Sequence, residues 1–402
     1  MRYAFFGVPH TGGTHTVYYA LRTGLAAHGI EVKWLGVGPR AQEALADPTW
    51  AHEHHHGEVV AGDITDEQQQ GATLVRFLET SGAFDGVFVN VLASRVQTNA
   101  MRYLSPEIRR VMIVHSITPG TYAAARAIRN QVHATVGVSP RIRDDLVHQH
   151  GFDPVRTQAI PNALDLSQFE QPREPRGSGE PLRLLFLGRL KDIDKGVFWL
   201  PEILARLPEH AVRLSVAGDG PDRTALEDRC AGLGERIRFL GRVPPEQVPA
   251  LAASHDVFLF PSRFEGLPLT LVEAMAAGCV PVATRIKGVT DFVVRDGHTG
   301  LLFPIGDVEA AAASIRTLVD DPSRLAAMSL AARQSIEGRF DRAQMASAYA
   351  GVLQAVQDDP PALKPPLPLS RWAYPRGLRS GMRTLLPTGV KNWLRVWRER
   401  LA

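Results

Sequence analysis

The sequence predicts an α/β protein with two doubly wound domains, each built on a parallel sheet. Three observations support this fold class. Short apolar runs of strand length alternate with helical segments along most of the chain. A chain of 402 residues is longer than one hydrophobic core usually organises. The alternation stops once, at residues 171–181 (QPREPRGSGEP), whose proline, glycine and charge content predicts a linker.

The domain boundaries follow from this linker and from the last helical pattern. We expect a first domain over 1–170, the linker over 171–181, a second domain over 182–340, a helix over 341–357, and a proline-rich connector with a basic tail over 358–402. The hydrophobic share of 45% and the charged share of 22% are ordinary for a soluble globular protein.

Charge is distributed unevenly along the chain. Residues 364–402 hold nine Lys or Arg and one Glu, whereas residues 1–363 hold 36 basic and 41 acidic residues. The mildly acidic body argues against nucleic acid as a partner. The two cysteines, Cys230 and Cys279, lie in apolar or helical context, which favours a reducing compartment over a disulfide framework.

The N-terminal apolar run does not resemble a signal peptide, because Gly7 and Pro9 interrupt it. No apolar run approaches the roughly 18 residues that span a bilayer. We therefore expect a cytoplasmic protein, with peripheral attachment to the inner face of a membrane as an option that the basic tail raises.

The first half reads as a series of strands that end in polar loops. The predicted strands are Tyr3–Val8, Glu31–Leu35, Asp85–Asn90, Val111–His115 and Ala134–Val138. A glycine loop at residues 10–14 (HTGGT) precedes a helix over Val17–His28, at the strand end where open α/β sheets bind ligands. This loop lacks the third glycine of a dinucleotide fingerprint. The histidine that ends the fourth strand, His115, is by itself more often a structural residue than a ligand contact.

The second half repeats the pattern after the linker. Its predicted strands are Leu182–Leu187, Arg213–Ala217, Ile237–Leu240, Val257–Phe260, Val280–Ala283 and Gly297–Phe303. Arg189 and Lys195 follow the first of these strands, and two cations at that place could bind a diphosphate from both sides.

Residues 257–287 are the most informative stretch, because two carboxylates stand in an almost wholly apolar segment. Glu265 lies in the predicted loop and Glu273 on the predicted helix Leu269–Ala277. A carboxylate on a buried face is costly unless something bonds it. The free amides at the start of the helix predict an anion site. A structural salt bridge to Arg or Lys is the competing interpretation of both glutamates.

Two motifs invite a metal interpretation and are better explained as solvated loops. Adjacent histidines in His52–His56 point in different directions on any regular backbone. The Asp-Ile-Asp run at 192–194 falls inside the cationic loop. We therefore expect no metal site and no tightly bound cofactor.

An ordered set of motifs identifies a resemblance over residues 1–356. The set comprises Gly12-Gly13, His115, IPNALD at 160–165, GRLxxxxKG at 188–196, AGDGP at 217–221, EGLPLTLVEAMAAGCVPVAT at 265–284 and DGHTGLLFPIGD at 296–307. In this set the chain resembles the family-four retaining glycosyltransferases of the GT-B fold. The resemblance implies two Rossmann-like domains facing across a cleft, a C-terminal helix that crosses back, and no need for a tightly bound metal. It departs from the family at Lys287-Gly288, where paired glycines are usual.

The resemblance also implies a role for each matching residue in binding a nucleotide-diphosphate sugar. Arg189 and Lys195 would neutralise the diphosphate that leaves with the nucleotide. The amides of Leu269 and Thr270 would hold the α-phosphate, and Gly13 the β-phosphate. Glu273 would bind the ribose, and Glu265, with the amides of Gly266 and Leu267, would bind the sugar hydroxyls. His115 would lie near the reacting carbon, and Arg238 and Val243 near the base. The candidates for the acceptor side are His10, Asn99 and Ser116.

The implied activity is retaining transfer of a hexose-type sugar, with UDP favoured over GDP, to a glycan, lipid-linked or small-molecule acceptor. One alternative is a nucleotide-sugar epimerase of the same fold. Another is a non-catalytic nucleotide-sugar-binding or membrane scaffold protein. The complete set Arg189, Lys195, Glu265, Glu273 and His115 speaks against a protein that only binds.

The basic tail carries the pattern of an amphipathic helix. Its apolar stripe is Val390, Leu394, Trp397 and Leu401, with Leu386 and Trp393 at the edges and Lys391, Arg395 and Arg398 well round from it. This pattern suits an anionic membrane surface, here assigned to residues 364–402. A tail that packs on the body or on a partner is the alternative.

Overall fold

The computed structural model describes residues 1–10, 12–91, 93–173, 176–177 and 179–379, together with 389, 390, 393, 396, 397 and 399. These residues form two compact units. The first contains residues 1–163 and 342–379, and the second contains residues 164–341 together with the described tail residues from 389 onward. Each unit is a parallel sheet with helices, so the predicted α/β class is confirmed.

The first unit is built on a seven-stranded parallel sheet in the order β3-β2-β1-β4-β5-β6-β7. The strands are β1 (Arg2–Phe6), β2 (Glu31–Val37), β3 (Gly57–Val60), β4 (Gly86–Asn90), β5 (Arg109–Val114), β6 (Ala134–Gly137) and β7 (Thr157–Ala159). Its helices are α1 (Gly13–Ala26), α2 (Pro39–Leu45), α3 (Glu67–Thr80), α4 (Arg95–Ala100), α5 (Pro119–Ile128) and α6 (Pro140–Asp144). The central strand β4 is buried along its whole length, as expected for a strand covered on both faces.

The second unit is built on a six-stranded parallel sheet in the order β10-β9-β8-β11-β12-β13. The strands are β8 (Leu182–Leu187), β9 (Val212–Ala217), β10 (Ile237–Gly241), β11 (Val257–Phe260), β12 (Val280–Thr284) and β13 (Leu301–Phe303). Its helices are α7 (Asp192–Lys195), α8 (Trp199–Ala205), α9 (Arg223–Cys230), α10 (Val248–Ala253), α11 (Leu269–Ala276), α12 (Thr290–Val293), α13 (Val308–Asp320) and α14 (Pro322–Ile336). The strand predicted over Gly297–Phe303 begins only at Leu301, because Gly297 adopts a positive φ of 75° in a turn.

The boundary between the units precedes the predicted linker, so the linker assignment to 171–181 is corrected. Leu164 already belongs to the second unit, where its amide donates to the carbonyl of Phe340 at 3.0 Å. Arg173, inside the predicted linker, donates to the carbonyls of Gly278 at 2.6 Å and His255 at 2.7 Å. Proline and glycine content alone therefore did not distinguish a linker from a segment fixed by one arginine.

The chain returns to the first unit after Asp341. Helix α15 (Arg342–Asp358) packs there, with the buried ring of Tyr349 edge-on to Phe88 at a centroid distance of 5.9 Å. The next segment, residues 359–379, also packs on the first unit and is called the C-terminal strap below. Much of the connector and tail predicted over 358–402 is thus part of the globular body. Both cysteines, Cys230 and Cys279, are buried free thiols.

Only part of the predicted amphipathic tail falls on described residues. Val390, Trp393 and Trp397 are helical and exposed, and the two indole rings stack at a centroid distance of 6.4 Å. The other tail positions of the prediction, Leu386, Lys391, Leu394, Arg395, Arg398 and Leu401, lie outside the described residues. Within the part of the chain that is described, no helix is both long and apolar enough to cross a membrane.

Candidate active site

The candidate site of the second unit lies where strands β8 and β11 end. These two strands are neighbours in the sheet and parallel, so the loops that follow them leave from the same edge. The first loop carries Arg189 and Lys195, and the second carries Glu265. Lys195 Nζ lies 2.6 Å from Glu265 Oε1, which joins the two loops directly.

Glu265 forms an ion pair with Lys195, so the salt bridge that was the competing interpretation of this glutamate is present. Both side chains retain some exposure, 23% for Lys195 and 10% for Glu265. An ammonium group has three donors and a carboxylate has two oxygens, so one mutual contact leaves each group able to bind a ligand. Lys195 Nζ also lies 5.6 Å from the centroid of the Phe260 ring.

Glu273 has a different environment, although it lies only eight positions after Glu265 in the same apolar segment. Its side chain is partly exposed, and its carboxyl group makes no hydrogen bond or ion pair with any residue the structure describes. Burial raises the pKa of this carboxyl to about 7. A perturbed carboxyl without a protein partner is characteristic of a ligand site. The salt-bridge alternative therefore does not hold for Glu273.

The N-terminus of α11 offers two free amides beside these carboxylates. The amides of Leu271 and Val272 both donate to the carbonyl of Pro268. The amides of Leu269 and Thr270 donate no hydrogen bond within the described chain. Unbonded amides at the positive end of a helix attract anions. The two residues just before Pro268, Gly266 and Leu267, are buried.

Three further residues of the second unit that were predicted to bind the donor lie at exposed positions or near the edge of the sheet. The guanidinium of Arg189 is exposed and has no partner among the described residues. Arg238 is exposed on the edge strand β10, and Val243 is half-buried just after that strand. Strand β9 separates β10 from β8, so Arg238 and Val243 lie further along the sheet edge than Arg189.

The Asp-Ile-Asp run is not the solvated loop that the sequence predicted. It forms the short helix α7, in which the Asp192 carboxylate accepts from the amide of Phe198 at 3.0 Å and pairs with Arg263 at 3.0 Å. The guanidinium of Arg263 also lies 3.9 Å from the ring centroid of Trp199. Arg263 thereby ties the loop after β11 to the loop after β8. The sequence signal was a lone cation beside Glu265 in an apolar segment, and its partner was not evident.

A glycine at the end of α7 sets how closely these two loops approach. Gly196 has a φ of 61°, and a Cβ atom there would lie 2.3 Å from the carbonyl oxygen of Pro261. Only glycine satisfies both the backbone angle and this distance. The close approach brings Lys195 to the loop that carries Glu265.

In the first unit, His115 is held by a residue that the sequence did not single out. The amide nitrogen of Asn90 donates to the carbonyl of Phe6 at 2.7 Å, so the side-chain oxygen of Asn90 faces His115 Nε2 at 2.8 Å. Nε2 must therefore carry the proton, and Nδ1 is left as an acceptor. Burial lowers the pKa of His115 to about 4, so the ring is neutral at pH 7. Asn90 was detectable as the polar end of the apolar strand β4.

A cavity of about 840 Å³ opens in the first unit near the carboxyl ends of β1, β2 and β4. The polar side chains that line it include His10, His15, Arg40, Glu67, Gln70 and Arg95. Nδ1 of His10 donates to the carbonyl of Val8 at 2.8 Å, which leaves Nε2 as an acceptor. Gly13 is exposed at the first turn of α1, next to Thr14 of the cavity wall.

The other two acceptor-side candidates do not line this cavity. Asn99 is fully buried in α4 and accepts a hydrogen bond from Arg102 at 3.1 Å, so its assignment as an acceptor contact was wrong. The hydroxyl of Ser116 accepts from the amide of Thr118 at 3.3 Å, which is a local turn contact. Polar residues near strand ends were therefore not sufficient to locate the cavity wall.

The histidine run belongs to a 3-10 helix over Pro48–His56. Its histidines are exposed, but Glu53 is buried and pairs with Arg22 at 2.7 Å, so the solvated-loop prediction was wrong for this residue. No group of three or more His, Cys, Asp or Glu side chains in the described chain is arranged to hold a metal ion.

Two family models match the two halves of the chain. Residues 11–168 match the model described as Glycosyltransferase Family 4, and residues 181–321 match the model described as Glycosyl transferases group 1. Together the matched ranges span most of the chain. The chain belongs to the family 4 glycosyltransferases. This family 4 glycosyltransferase is accordingly an enzyme that acts on nucleotide sugars, as the resemblance implied.

Relatives of known function point the same way. Glycogen synthase of Mycobacterium tuberculosis is 28% identical over 287 residues, which cover 67% of this chain and 68% of that protein. The GDP-mannose-dependent alpha-(1-6)-phosphatidylinositol monomannoside mannosyltransferase of Mycolicibacterium smegmatis is 32% identical over 237 residues, or 54% of this chain and 61% of that protein.

Solved structures confirm the fold of the family 4 glycosyltransferase as GT-B. Anabaena HepE, solved with UDP and glucose, aligns with a TM-score of 0.73 at 19% identity, covering 88% of this chain and 100% of that one. Sucrose-phosphate synthase from Thermosynechococcus elongatus aligns with a TM-score of 0.71 at 19% identity, covering 89% and 99%.

Proposed function

We propose that the enzyme transfers a hexose-type sugar from a nucleotide-diphosphate sugar to a carbohydrate or lipid-linked acceptor with retention of configuration. The observation that carries the proposal is Glu273, a partly buried carboxyl without a protein partner on a helix that starts with two unbonded amides. Amides suit a phosphate and a carboxylate suits the hydroxyls of a ribose, so one helix matches two neighbouring parts of a nucleotide.

The remaining donor contacts follow from charge and accessibility. Arg189 has a free guanidinium for the diphosphate, and Lys195 has two donors beyond its contact with Glu265. Glu265 keeps one oxygen for the hydroxyls of the transferred sugar. Arg238 and Val243 are assigned to the nucleotide base. In the first unit, His115 presents Nδ1 as the acceptor of a neutral ring, which suits a sugar hydroxyl.

The catalytic step breaks the bond between the anomeric carbon and the β-phosphate oxygen. The acceptor oxygen forms the new bond to that carbon from the same face, and its proton passes to the departing phosphate. Negative charge gathers on this phosphate in the transition state, so a preorganised cation and helix amides there lower the barrier more than they strengthen ground-state binding. No metal is needed for these assignments.

The proposal extends to the nucleotide of the donor and to the place where the acceptor binds. We favour UDP, the nucleotide named in the HepE structure, over the GDP-mannose that the mannosyltransferase relative is named for. We assign the acceptor to the cavity of the first unit, with His10 among its contacts. Glycogen synthase and the phosphatidylinositol monomannoside mannosyltransferase act, by their names, on a glycan and on a lipid, so both classes remain in the proposal.

A donor panel tests the function. UDP-glucose, UDP-galactose, UDP-N-acetylglucosamine and GDP-mannose are first compared by thermal shift, because a ligand that binds the folded state raises the melting temperature. Nucleotide release is then measured with and without methyl α-D-glucopyranoside, maltotriose and phosphatidylinositol vesicles. Acceptor-dependent release with a new α-glycoside is expected. Epimerised sugar without any acceptor requirement would instead support the epimerase alternative.

We also propose that the basic tail brings the enzyme to an anionic membrane surface. Residues 380–402 hold five Lys or Arg and one Glu, and the described residues Trp393 and Trp397 are exposed. Exposed indoles with basic neighbours favour an anionic interface. A chain ending at Arg379 keeps the C-terminal strap and should no longer float with phosphatidylglycerol vesicles. Equal flotation of both chains would contradict this proposal.

A further inference from the structure

The C-terminal strap packs against helices α3 and α4 of the first unit, where an aromatic contact and several hydrogen bonds hold it. The ring of Trp372 stacks on Tyr103 at a centroid distance of 4.7 Å. The hydroxyl of Tyr103 accepts from the amide of Ala373 at 2.8 Å and donates to the carbonyl of Arg371 at 3.0 Å. These contacts fix the strap on the first unit at residues 371–373, directly before Tyr374.

That tyrosine, Tyr374, contacts two residues of the cavity wall. Its hydroxyl donates to Glu67 Oε2 at 2.8 Å. Glu67 in turn holds Arg95 by two contacts, from Nε at 2.9 Å and from Nη2 at 2.7 Å. The guanidinium of Arg95 lies 4.9 Å from the ring centroid of Tyr374. Both Glu67 and Arg95 line the 840 Å³ cavity.

These contacts matter because Arg95 would otherwise be a poorly fixed surface residue. Its side chain is 50% exposed, and an exposed ion pair alone does not hold a long side chain in one geometry. The Tyr374 ring lies beside the guanidinium, while the Tyr374 hydroxyl donates to Glu67 Oε2, the same oxygen that Arg95 Nη2 contacts. Burial would raise the pKa of Glu67, but hydrogen bonds from Arg95 and Tyr374 outweigh it and lower that pKa.

We propose that Tyr374 is a positioning residue that fixes Arg95 as a hydrogen-bond donor to the acceptor. The inference rests on the proposed function, which assigns this cavity to the acceptor. Two contacts of Arg95 go to Glu67, and its Nη1 donates no hydrogen bond within the described chain, so Nη1 remains available as a donor to the acceptor. The acceptor group it fits is an oxygen of a hydroxyl-rich sugar or polyol, for which a guanidinium held in one plane is a directional donor.

The first test does not depend on any substrate. The full-length enzyme is labelled with phenylglyoxal, which reacts with guanidinium groups, and the labelling rates of Arg95 and Arg40 are compared by mass spectrometry. Tyr374→Phe keeps the ring but removes the hydroxyl, so the rate at Arg95 should rise about fivefold, the equivalent of one lost hydrogen bond. Arg40, which also lines the cavity, is the internal reference and should not change. An unchanged Arg95 rate in both Tyr374→Phe and Tyr374→Leu would overturn the proposal.

A matched control uses another tyrosine beside an arginine. Tyr19 lies on α1, is 43% exposed, and has the guanidinium of Arg22 at 5.3 Å from its ring centroid. It does not line the cavity. Tyr19→Phe makes the same chemical change and should leave the labelling of Arg95 and the kinetics unchanged. A rise at Arg95 in this variant too would mean a general loosening of the unit and would count against the proposal.

The second test uses transfer from UDP-glucose to methyl α-D-glucopyranoside as the probe acceptor. Tyr374→Phe should raise the acceptor KM about fivefold, with the donor KM and kcat retained. In an Arg95→Gln background, Tyr374→Phe should have no further effect, because the tyrosine acts through the arginine. An unchanged acceptor KM, or equal effects with and without Arg95, would overturn the proposal. If the wild-type enzyme transfers nothing to the probe, the proposed function loses support, while the labelling rates still decide whether Tyr374 positions Arg95.

Discussion

Glu265 and Glu273 look alike in the sequence, but the structure gives them different partners. Glu265 is paired with Lys195 at 2.6 Å, whereas Glu273 has no partner in the described chain. Spacing predicted that both carboxylates lie beside one helix start. It could not predict the pairing, because the two loops are brought together by tertiary contacts, the close approach at Gly196 and the ion pair of Arg263 with Asp192.

The raised pKa of Glu273 predicts a specific pH dependence. A carboxyl whose folded pKa lies above its unfolded value stabilises the protein fully below about 4.5, and this contribution is lost as pH rises through about 7. Between pH 5 and 8, the unfolding free energy of the wild type should fall by up to about 3 kcal/mol relative to Glu273→Gln. Urea unfolding across this range measures the difference. The exposed Glu246→Gln serves as the control, and parallel curves for wild type and Glu273→Gln would contradict the assignment.

Replacing Arg189 should lower the rate of transfer without lowering the stability of the fold. Its guanidinium is exposed and has no described partner, so Arg189→Ala removes no side-chain hydrogen bond or ion pair within the described chain. Transfer should fall by about 10²–10³ in kcat/KM if the cation stabilises the leaving phosphate. Arg324→Ala, on the exposed side of α14 in the same unit, should retain full activity. Undiminished turnover in Arg189→Ala would refute its role.

At the scale of elements, periodicity predicted the buried strands and missed the short polar ones. Strands β4 and β11 are continuous apolar runs, and both were predicted within one residue of their observed ends. Strands β3 (GEVV) and β7 (TQA) lie at the two edges of the first sheet and carry little apolar signal. Their positions follow from pairing with a neighbour, which local sequence does not encode.

The packing of Trp372 of the C-terminal strap on α3 predicts that Gly71 of this helix cannot be replaced without loss of stability. A Cβ atom at Gly71 of α3 would lie 2.1 Å from the Trp372 ring. Gly71→Ala should therefore destabilise the enzyme by about 1–3 kcal/mol through overpacking, despite the better helix propensity of alanine. Gly351→Ala in α15 is the matched control, because nothing lies within 4 Å of its Cβ, and it should stabilise by about 0.5–1 kcal/mol. Thermal unfolding measures both, and equal effects would contradict this packing.

At the scale of the whole molecule, two sheets were predictable from the repeated strand–helix alternation. Which of the two units the C-terminal residues belong to was not predictable, because the apolar stripe on α15 does not show which core the helix packs against. The strap was harder still, since residues 359–379 contain no regular period, and their order comes from single contacts such as Trp372 on Tyr103.

The composition of the first unit predicts how fragments behave. Residues 1–163 lack α15, so the core around Phe88 would lose the buried ring of Tyr349. This fragment should be insoluble or unfolded alone, and co-expression with residues 342–402 should recover it. Residues 164–341 hold the whole second sheet and helices α7 to α14, so they should fold alone, as judged by cooperative thermal unfolding. A folded fragment 1–163 would contradict the importance of α15.

The division of the first unit between both ends of the chain also has a consequence for synthesis. When the ribosome has made residue 341, the second unit has its whole sheet and helices α7 to α14, but the first unit still lacks α15. The part of the enzyme that is translated first is therefore the last to finish folding. Until α15 emerges, the apolar surface that it will cover is exposed, which makes the nascent chain prone to non-native association during that interval.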